Sequence, residues 1–168
     1  ALLMPGSSLV VNPIISLIQD QIENLSEYGI DRCLGISGLL ERPDVLRAQA
    51  ALITGHYLFC YIAPERFQMA DFRQALSGLT RVVSINSVVI DEAHCVSEWG
   101  HDFRTAYLNL GRNTRAFCSR PSGESPPLMA LTGTASRVVL KDIQRELAID
   151  DLDAIITPDS FDRAELSF

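Results

Sequence analysis

The sequence predicts an α/β fold built on a mostly parallel sheet. Three observations carry that expectation. Short apolar runs, Leu9-Val10-Val11 and Val88-Val89-Ile90 among them, read as buried strands. Stretches with apolar residues three and four apart lie between those runs, as the helices connecting parallel strands do. Glycine, proline and polar clusters punctuate the joints.

Leu9-Val10-Val11 is the first strand, and Pro13 opens a helix whose apolar face is Ile14, Ile18, Ile22 and Leu25 and which Gly29 ends. Residues 33–36 suit a short strand and residues 43–53 a helix. Residues 58–62 form a buried strand, after which Pro64 leads into a helix over 65–76. Residues 87–90 form the strand that delivers Asp91 and Glu92. A helix around 106–110 precedes a polar stretch, Arg120-Pro121-Ser122-Gly123-Glu124-Ser125-Pro126, which reads as a surface loop. Residues 128–131 are another buried strand. Ser136 can cap the next helix, whose apolar face is Val139, Ile143 and Leu147, and residues 154–156 suit a last strand.

A chain of 168 residues is long enough for one domain with a real core, and no repeat or linker divides it. No apolar run reaches membrane-spanning length, no basic segment leads into an apolar one as in a signal peptide, and the first residue is Ala1, as in an excised or processed segment. The four cysteines are widely spaced without a C-x-x-C pair, which argues for reduced thiols and against a zinc site. Together these features suit an intracellular, non-membrane protein. The formal net charge of -7 argues against a free-standing nucleic-acid binder. One wall of a channel escapes that objection, because helix N-termini and hydroxyls hold phosphates without net positive charge.

The chemistry concentrates in five places. Asp91-Glu92-Ala93-His94 puts two adjacent carboxylates at the tip of a buried strand, where one can face a Mg²⁺ ion and the other can take a proton from an attacking water. Glu98-Trp99-Gly100-His101-Asp102-Phe103-Arg104 follows, setting aromatic, cationic and hydrogen-bonding groups side by side as single-stranded nucleic acid requires. A loop fits these residues better than an i, i+4 helix pair of Trp99 and Phe103, because Gly100 and charged neighbours intervene. Leu131-Thr132-Gly133-Thr134-Ala135-Ser136 presents two hydroxyls toward the loop where His94 should lie. Asn12-Pro13 and Tyr61-Ile62-Ala63-Pro64-Glu65-Arg66 are strand-to-helix junctions; backbone N–H groups at the first can bind phosphate, and Arg66 could orient the second. A phosphate loop of the form G-x-x-x-x-G-K-[ST] is missing from these residues: the one lysine, Lys141, stands in a helical context without a nearby glycine.

On these motifs the chain resembles the first RecA-like lobe of a RecQ-family DNA helicase of superfamily 2, nearly end to end. Residues 9–21 resemble motif Ia, 61–67 the Y-[IV]-[AS]-P-E-R segment, 91–94 the Walker B box, 131–136 motif III and Ser160-Phe161-Asp162-Arg163 the segment leading out of the lobe. Residues 97–104 lie very close to the family's S-x-W-G-H-D-F-R loop, the most family-specific stretch. Gly133, Thr105 and Ala164-Glu165 depart from the usual residues.

The resemblance implies a three-layer RecA-like α/β/α fold, N-terminally truncated, with residues 1–158 as partial lobe 1 and 159–168 as the exit toward a second lobe. It implies ATP-driven 3′-to-5′ unwinding of single-stranded or partly duplex DNA. Asp91 would hold Mg²⁺ through water, Glu92 would activate water, and His94 with Thr132 and Thr134 would link nucleotide state to DNA. Ser16, Gln19, Pro64, Arg66, Trp99, His101, Phe103 and Arg104 would meet DNA. The rivals are an RNA helicase of the DEAD/DEAH type, which the aromatic-rich loop argues against, and a non-catalytic lobe that only binds a partner or nucleic acid. Without the phosphate-loop strand the sheet is expected to carry a gap or an exposed apolar edge, and the 168 residues alone to bind ATP negligibly and to be poorly soluble or partly unfolded.

Overall fold

The computed structural model describes residues 2–3, 5–37, 41–99, 102–151 and 153–157. Along the chain come β1 (Ser7–Val11), α1 (Ile15–Glu27), β2 (Cys33–Ile36), α2 (Arg42–Ile53) and β3 (Phe59–Ile62). A 3₁₀ turn at Pro64–Gln68 precedes α3 (Ala70–Val82) and β4 (Ile85–Ile90), and two more 3₁₀ turns follow at Ala93–Val96 and Thr105–Tyr107. The chain then forms α4 (Leu110–Cys118), β5 (Leu128–Ala130) and α5 (Arg137–Leu147).

The five strands form one sheet in the order β2-β3-β1-β4-β5, and every neighbouring pair is parallel. β1 is the middle strand, with Leu9 opposite Cys60 on one side and Val88 on the other. Parallel strands need covering helices, and their residues are accordingly apolar on both faces. Leu9, Val11, Ile62, Val88 and Ile90 are completely buried. Each such side chain contributes about 1.5–3 kcal/mol relative to exposure. α1 sits against β2 at Gly35, where an added Cβ would lie 2.9 Å from Ile22 Cδ1.

The α/β expectation and all strands through β5 stand, with four corrections. The helix expected over 65–76 is broken at Met69, whose backbone is extended (φ -90°, ψ 129°). Arg73 closes the break by donating to the carbonyls of Phe67 at 2.6 Å and Gln68 at 3.1 Å. The bend brings Phe67 and Phe72 into an edge-to-face pair with centroids 5.6 Å apart, a geometry a continuous helix would not give to residues five apart. The helix expected around 106–110 is a 3₁₀ turn that drives Tyr107 inward, and α4 begins only at Leu110. Residues 154–156 form no strand; Ile156 is 95% exposed. Ile14 stands at the N-cap of α1, before the buried face begins at Ile18.

Among the described residues the sheet has no gap. β1 through β5 are contiguous, and β5 is an edge strand whose Met129 is 55% exposed. The exit segment expected over 159–168 lies outside the described residues.

Candidate nucleotide and nucleic-acid site

Because every strand runs the same way, the carboxyl ends of β1, β3, β4 and β5 meet at one rim, which is where open α/β sheets bind ligands. Asn12 follows β1, Pro64 follows β3, Asp91 and Glu92 follow β4, and Thr132 follows β5. Sequence positions 79 residues apart therefore meet side chain to side chain.

Asp91 is held from three directions. Its Oδ2 accepts from Asn12 Nδ2 at 2.7 Å, and its Oδ1 accepts from the Glu92 backbone N–H at 3.0 Å. The Tyr107 hydroxyl donates to the Asp91 carbonyl at 3.0 Å. Burial pushes the Tyr107 phenol well above its ordinary pKa, so it stays a donor. Asn12 is completely buried, and its own Oδ1 accepts from Ile14 N–H at 2.8 Å, the Asx arrangement that starts α1. The sequence does not point to either Asn12 or Tyr107 as a partner of Asp91. A polar residue ending an otherwise apolar strand was the available signal at Asn12; nothing local marked Tyr107.

Glu92 has left-handed backbone (φ 48°, ψ 45°), one of two such non-glycine residues among those described. An L side chain adopts this region at a cost of about 1–3 kcal/mol, and such outliers cluster at functional sites. The conformation turns the chain sharply, so that Glu92 Oε2 comes within 3.3 Å of His94 Nδ1.

His94 Nδ1 also lies 3.0 Å from Thr132 Oγ1, which joins the loop after β4 to the loop after β5. Thr132 Oγ1 donates to the Thr134 carbonyl and accepts from the Thr134 N–H, both at 3.3 Å. A proton on Nδ1 suits both of its neighbours, since the Thr132 hydroxyl can accept it and the Glu92 carboxylate can only accept. Thr134 joins the network through its backbone, so the side-chain link from the sheet rim to His94 is Thr132. Pro13, Glu92, His94, Asp102 and Thr134 border a cleft of about 300 Å³.

Ser97, Glu98 and Trp99, and Asp102 to Arg104, form no helix, and Trp99 is 79% exposed. Arg104 donates to Asp102 Oδ2 through Nε and Nη2 at 3.1 and 2.9 Å and to the Pro13 carbonyl at 3.3 Å. The Asp102 bond holds its guanidinium still more firmly protonated. Its backbone N–H donates to the Cys95 carbonyl at 2.9 Å. Phe103 is half-buried beside it, and His101 lies outside the described residues.

Ser16 and Gln19 are exposed on the first turns of α1, close in sequence to the Asn12 bridge. Pro64 and Arg66 are buried. Arg66 turns inward to the Ser37 carbonyl and to Met69 Sδ, which makes it a brace of its loop and leaves Glu65 as the exposed residue there.

The donor set suits a hydrated Mg²⁺. Among the described residues no group of three or more His, Cys, Asp or Glu side chains could cage a metal. Mg²⁺ does not require one: it keeps several waters and takes one or two carboxylates plus substrate phosphates. The two hydrogen bonds to Asp91 use two of about four lone-pair sites on its carboxylate.

The DEAD/DEAH box helicase family profile matches residues 3–143. The ATP-dependent DNA helicase RecQ of Bacillus subtilis is 36% identical over 168 residues, covering 100% of this chain and 26% of that protein. That of Haemophilus influenzae is 37% identical over 169 residues, with 100% of this chain and 25% of that protein covered. The chain thus spans about a quarter of the length of these relatives. Among solved structures, the Hef helicase domain of Pyrococcus furiosus superposes with a TM-score of 0.56 at 16% identity, covering 88% of this chain and 28% of that one, a likeness of RecA-like fold alone. With its five-stranded parallel sheet and its Asp91-to-His94 box, the chain belongs to the DEAD/DEAH box helicase family, with RecQ helicases as homologues across its whole length.

Proposed function

We propose that this chain is the first lobe of an ATP-dependent DNA helicase, working inside the cell with a phosphate loop and a second lobe supplied by the rest of a longer polypeptide. The observation that carries the reading is the rim at the end of β4. There an oriented Asp91, a strained Glu92 and a His94–Thr132 bridge lie a few residues from an exposed tryptophan. In this reading Asp91 would hold Mg²⁺ through water, and that ion would supply charge neutralisation at the nucleotide phosphates. Glu92 accepts the proton of the water that attacks the terminal phosphate. His94 fixes the Glu92 carboxylate through its Nδ1 proton and ties it to the β5 loop through Thr132.

Trp99, Phe103 and Arg104, with Ser16 and Gln19 on α1, form the surface for single-stranded DNA. Arg104 spans both, since its side chain reaches the Pro13 carbonyl at the start of that helix. Pro64 and Arg66 shape the neighbouring loop from beneath. Translocation is 3′-to-5′. The formal charge of -7 fits one wall of a channel closed by a second lobe.

The decisive experiment replaces Glu92 by Gln in a polypeptide that joins this lobe to a phosphate loop and a second lobe. The side chain keeps its size and its place beside His94 but loses the base. Hydrolysis is expected to fall by roughly 10²–10⁴ with nucleotide binding retained. Hydrolysis within about threefold of wild type removes Glu92 from this role.

A further inference from the structure

Asp142 on α5 has no part in the chemistry described so far, yet its side chain is only 11% exposed. A buried carboxylate is costly unless it is hydrogen-bonded. One oxygen, Oδ1, pairs with Arg145 at 3.0 Å, but that guanidinium is 70% exposed and such a pair adds little to stability. The other, Oδ2, accepts from the Ser97 hydroxyl at 2.7 Å, a bond buried on both sides. Ser97 is itself 1% exposed, and its oxygen accepts in turn from the Trp99 backbone N–H at 3.2 Å. A chain of two hydrogen bonds therefore runs from α5 through Ser97 to Trp99.

We propose that Asp142 is a positioning residue for the aromatic-rich loop, fixing the backbone that carries Trp99 through the Ser97 hydroxyl. The proposal rests on the reading of that loop as the DNA surface and adds what orders it. The far root of the loop is held separately, by the Arg104 N–H on the Cys95 carbonyl and the Arg104 side chain on Pro13. Its near root has the Asp142–Ser97 bond. α5 follows directly on the loop that holds Thr132 and Thr134, so the helix that steadies Trp99 is continuous with the segment that meets His94.

Trp99 is the only tryptophan of the 168 residues, so emission excited at its red edge reads the loop without DNA or nucleotide. Steady-state anisotropy and thermal melts are to be compared for the wild-type chain, Ser97→Ala, Asp142→Ala, Asp142→Asn and the Ser97→Ala/Asp142→Ala pair. Both alanine variants are expected to lower the Trp99 anisotropy, the pair to lower it no further, and Asp142→Asn, which still offers an acceptor, to stay near wild type. Binding of oligo(dT), followed by the same emission, should weaken roughly three- to tenfold in the alanine variants, the cost of ordering one or two freed side chains on association. Unchanged anisotropy in a folded Asp142→Ala chain overturns the proposal. If that variant does not fold, unchanged anisotropy in Ser97→Ala overturns it equally. If the anisotropy falls as expected but oligo(dT) leaves the emission of every variant unaltered, the positioning role stands and the DNA reading of the loop fails.

Discussion

At the scale of single residues, burial decides which groups can act. Trp99 is 79% exposed and holds no core together, so Trp99→Ala is expected to leave the melting temperature and DNA-free ATP hydrolysis of a complete helicase nearly unchanged. Stimulation by single-stranded DNA should fall, since stacking on one base is worth about 1–3 kcal/mol. An equal fall in both activities, with a lower melting temperature, would place Trp99 in the core instead. The cysteines behave oppositely. Burial, with Asp102 adding to it, pushes the Cys95 thiol up to about 11, and burial pushes Cys60 and Cys118 up to about 12. A folded thiol that ionises later than the ordinary 9.0 binds more protons than the unfolded chain at alkaline pH. Stability is therefore full below about pH 9 and declines as pH rises toward 11–12. Melts between pH 7 and 11 should show that decline, and alanine at Cys60 should flatten it. The carboxylates of this site were legible in the sequence because an apolar strand ending in Asp-Glu-Ala-His is a local pattern. Asn12, Tyr107 and Ser97 were not read as partners because their bonds, to Asp91 and to Asp142, join residues 16 to 79 positions apart.

Whole elements obey the local rules until a tertiary demand overrides them. α5 begins where Ser136 accepts from Val139 N–H at 3.4 Å, as its sequence predicts. It ends at Ala148 in left-handed conformation (φ 48°, ψ 54°), which its sequence does not announce, since glycine is the usual residue there. The stop is imposed by α4. Arg115 donates to the carbonyls of Leu147 and Ala148 at 2.8 and 2.6 Å, and Gly111 packs so closely that an added Cβ would sit 2.8 Å from Leu147 Cα. Ala148→Gly keeps every one of these contacts and relieves the left-handed penalty. It is expected to stabilise the chain by about 1 kcal/mol, seen as a higher melting temperature. No gain would mean that the cap is tolerated without strain. The helix expected over 65–76 failed for the same kind of reason: periodicity cannot show that Phe67 and Phe72 are to meet edge to face, which requires the break at Met69.

For the molecule as a whole, sheet order is what the sequence could not supply. Strand identity and parallel direction follow from pattern, but β1 lies between β3 and β4 only because crossover helices place it there. Among the described residues that order leaves no gap, so of the two expected outcomes, a gap or an exposed apolar edge, the edge is the one observed. The liability moves to the rim at β5, where Met129 and Leu131 are 55% and 46% exposed. The same order gathers carboxylates where a nucleotide would lie. Asp91 and Glu92 stand at the carboxyl end of β4, while Lys141, the one lysine, is exposed on α5 and part of no glycine-rich loop. Phosphate binding in this fold needs backbone N–H groups of such a loop and a lysine that reaches the terminal phosphates. With two carboxylates on the rim and a chain charge of -7, the field of these residues repels a nucleotide anion. Mg²⁺ held by Asp91 would offset part of that repulsion without adding such a lysine or loop. The 168-residue chain is therefore expected to show no saturable binding of ATP–Mg²⁺ at micromolar concentrations by isothermal titration. A micromolar Kd corresponds to about -8 kcal/mol. Finding it would mean that other groups of this chain replace the phosphate loop, and the assignment of this rim as half of a nucleotide site would have to be abandoned.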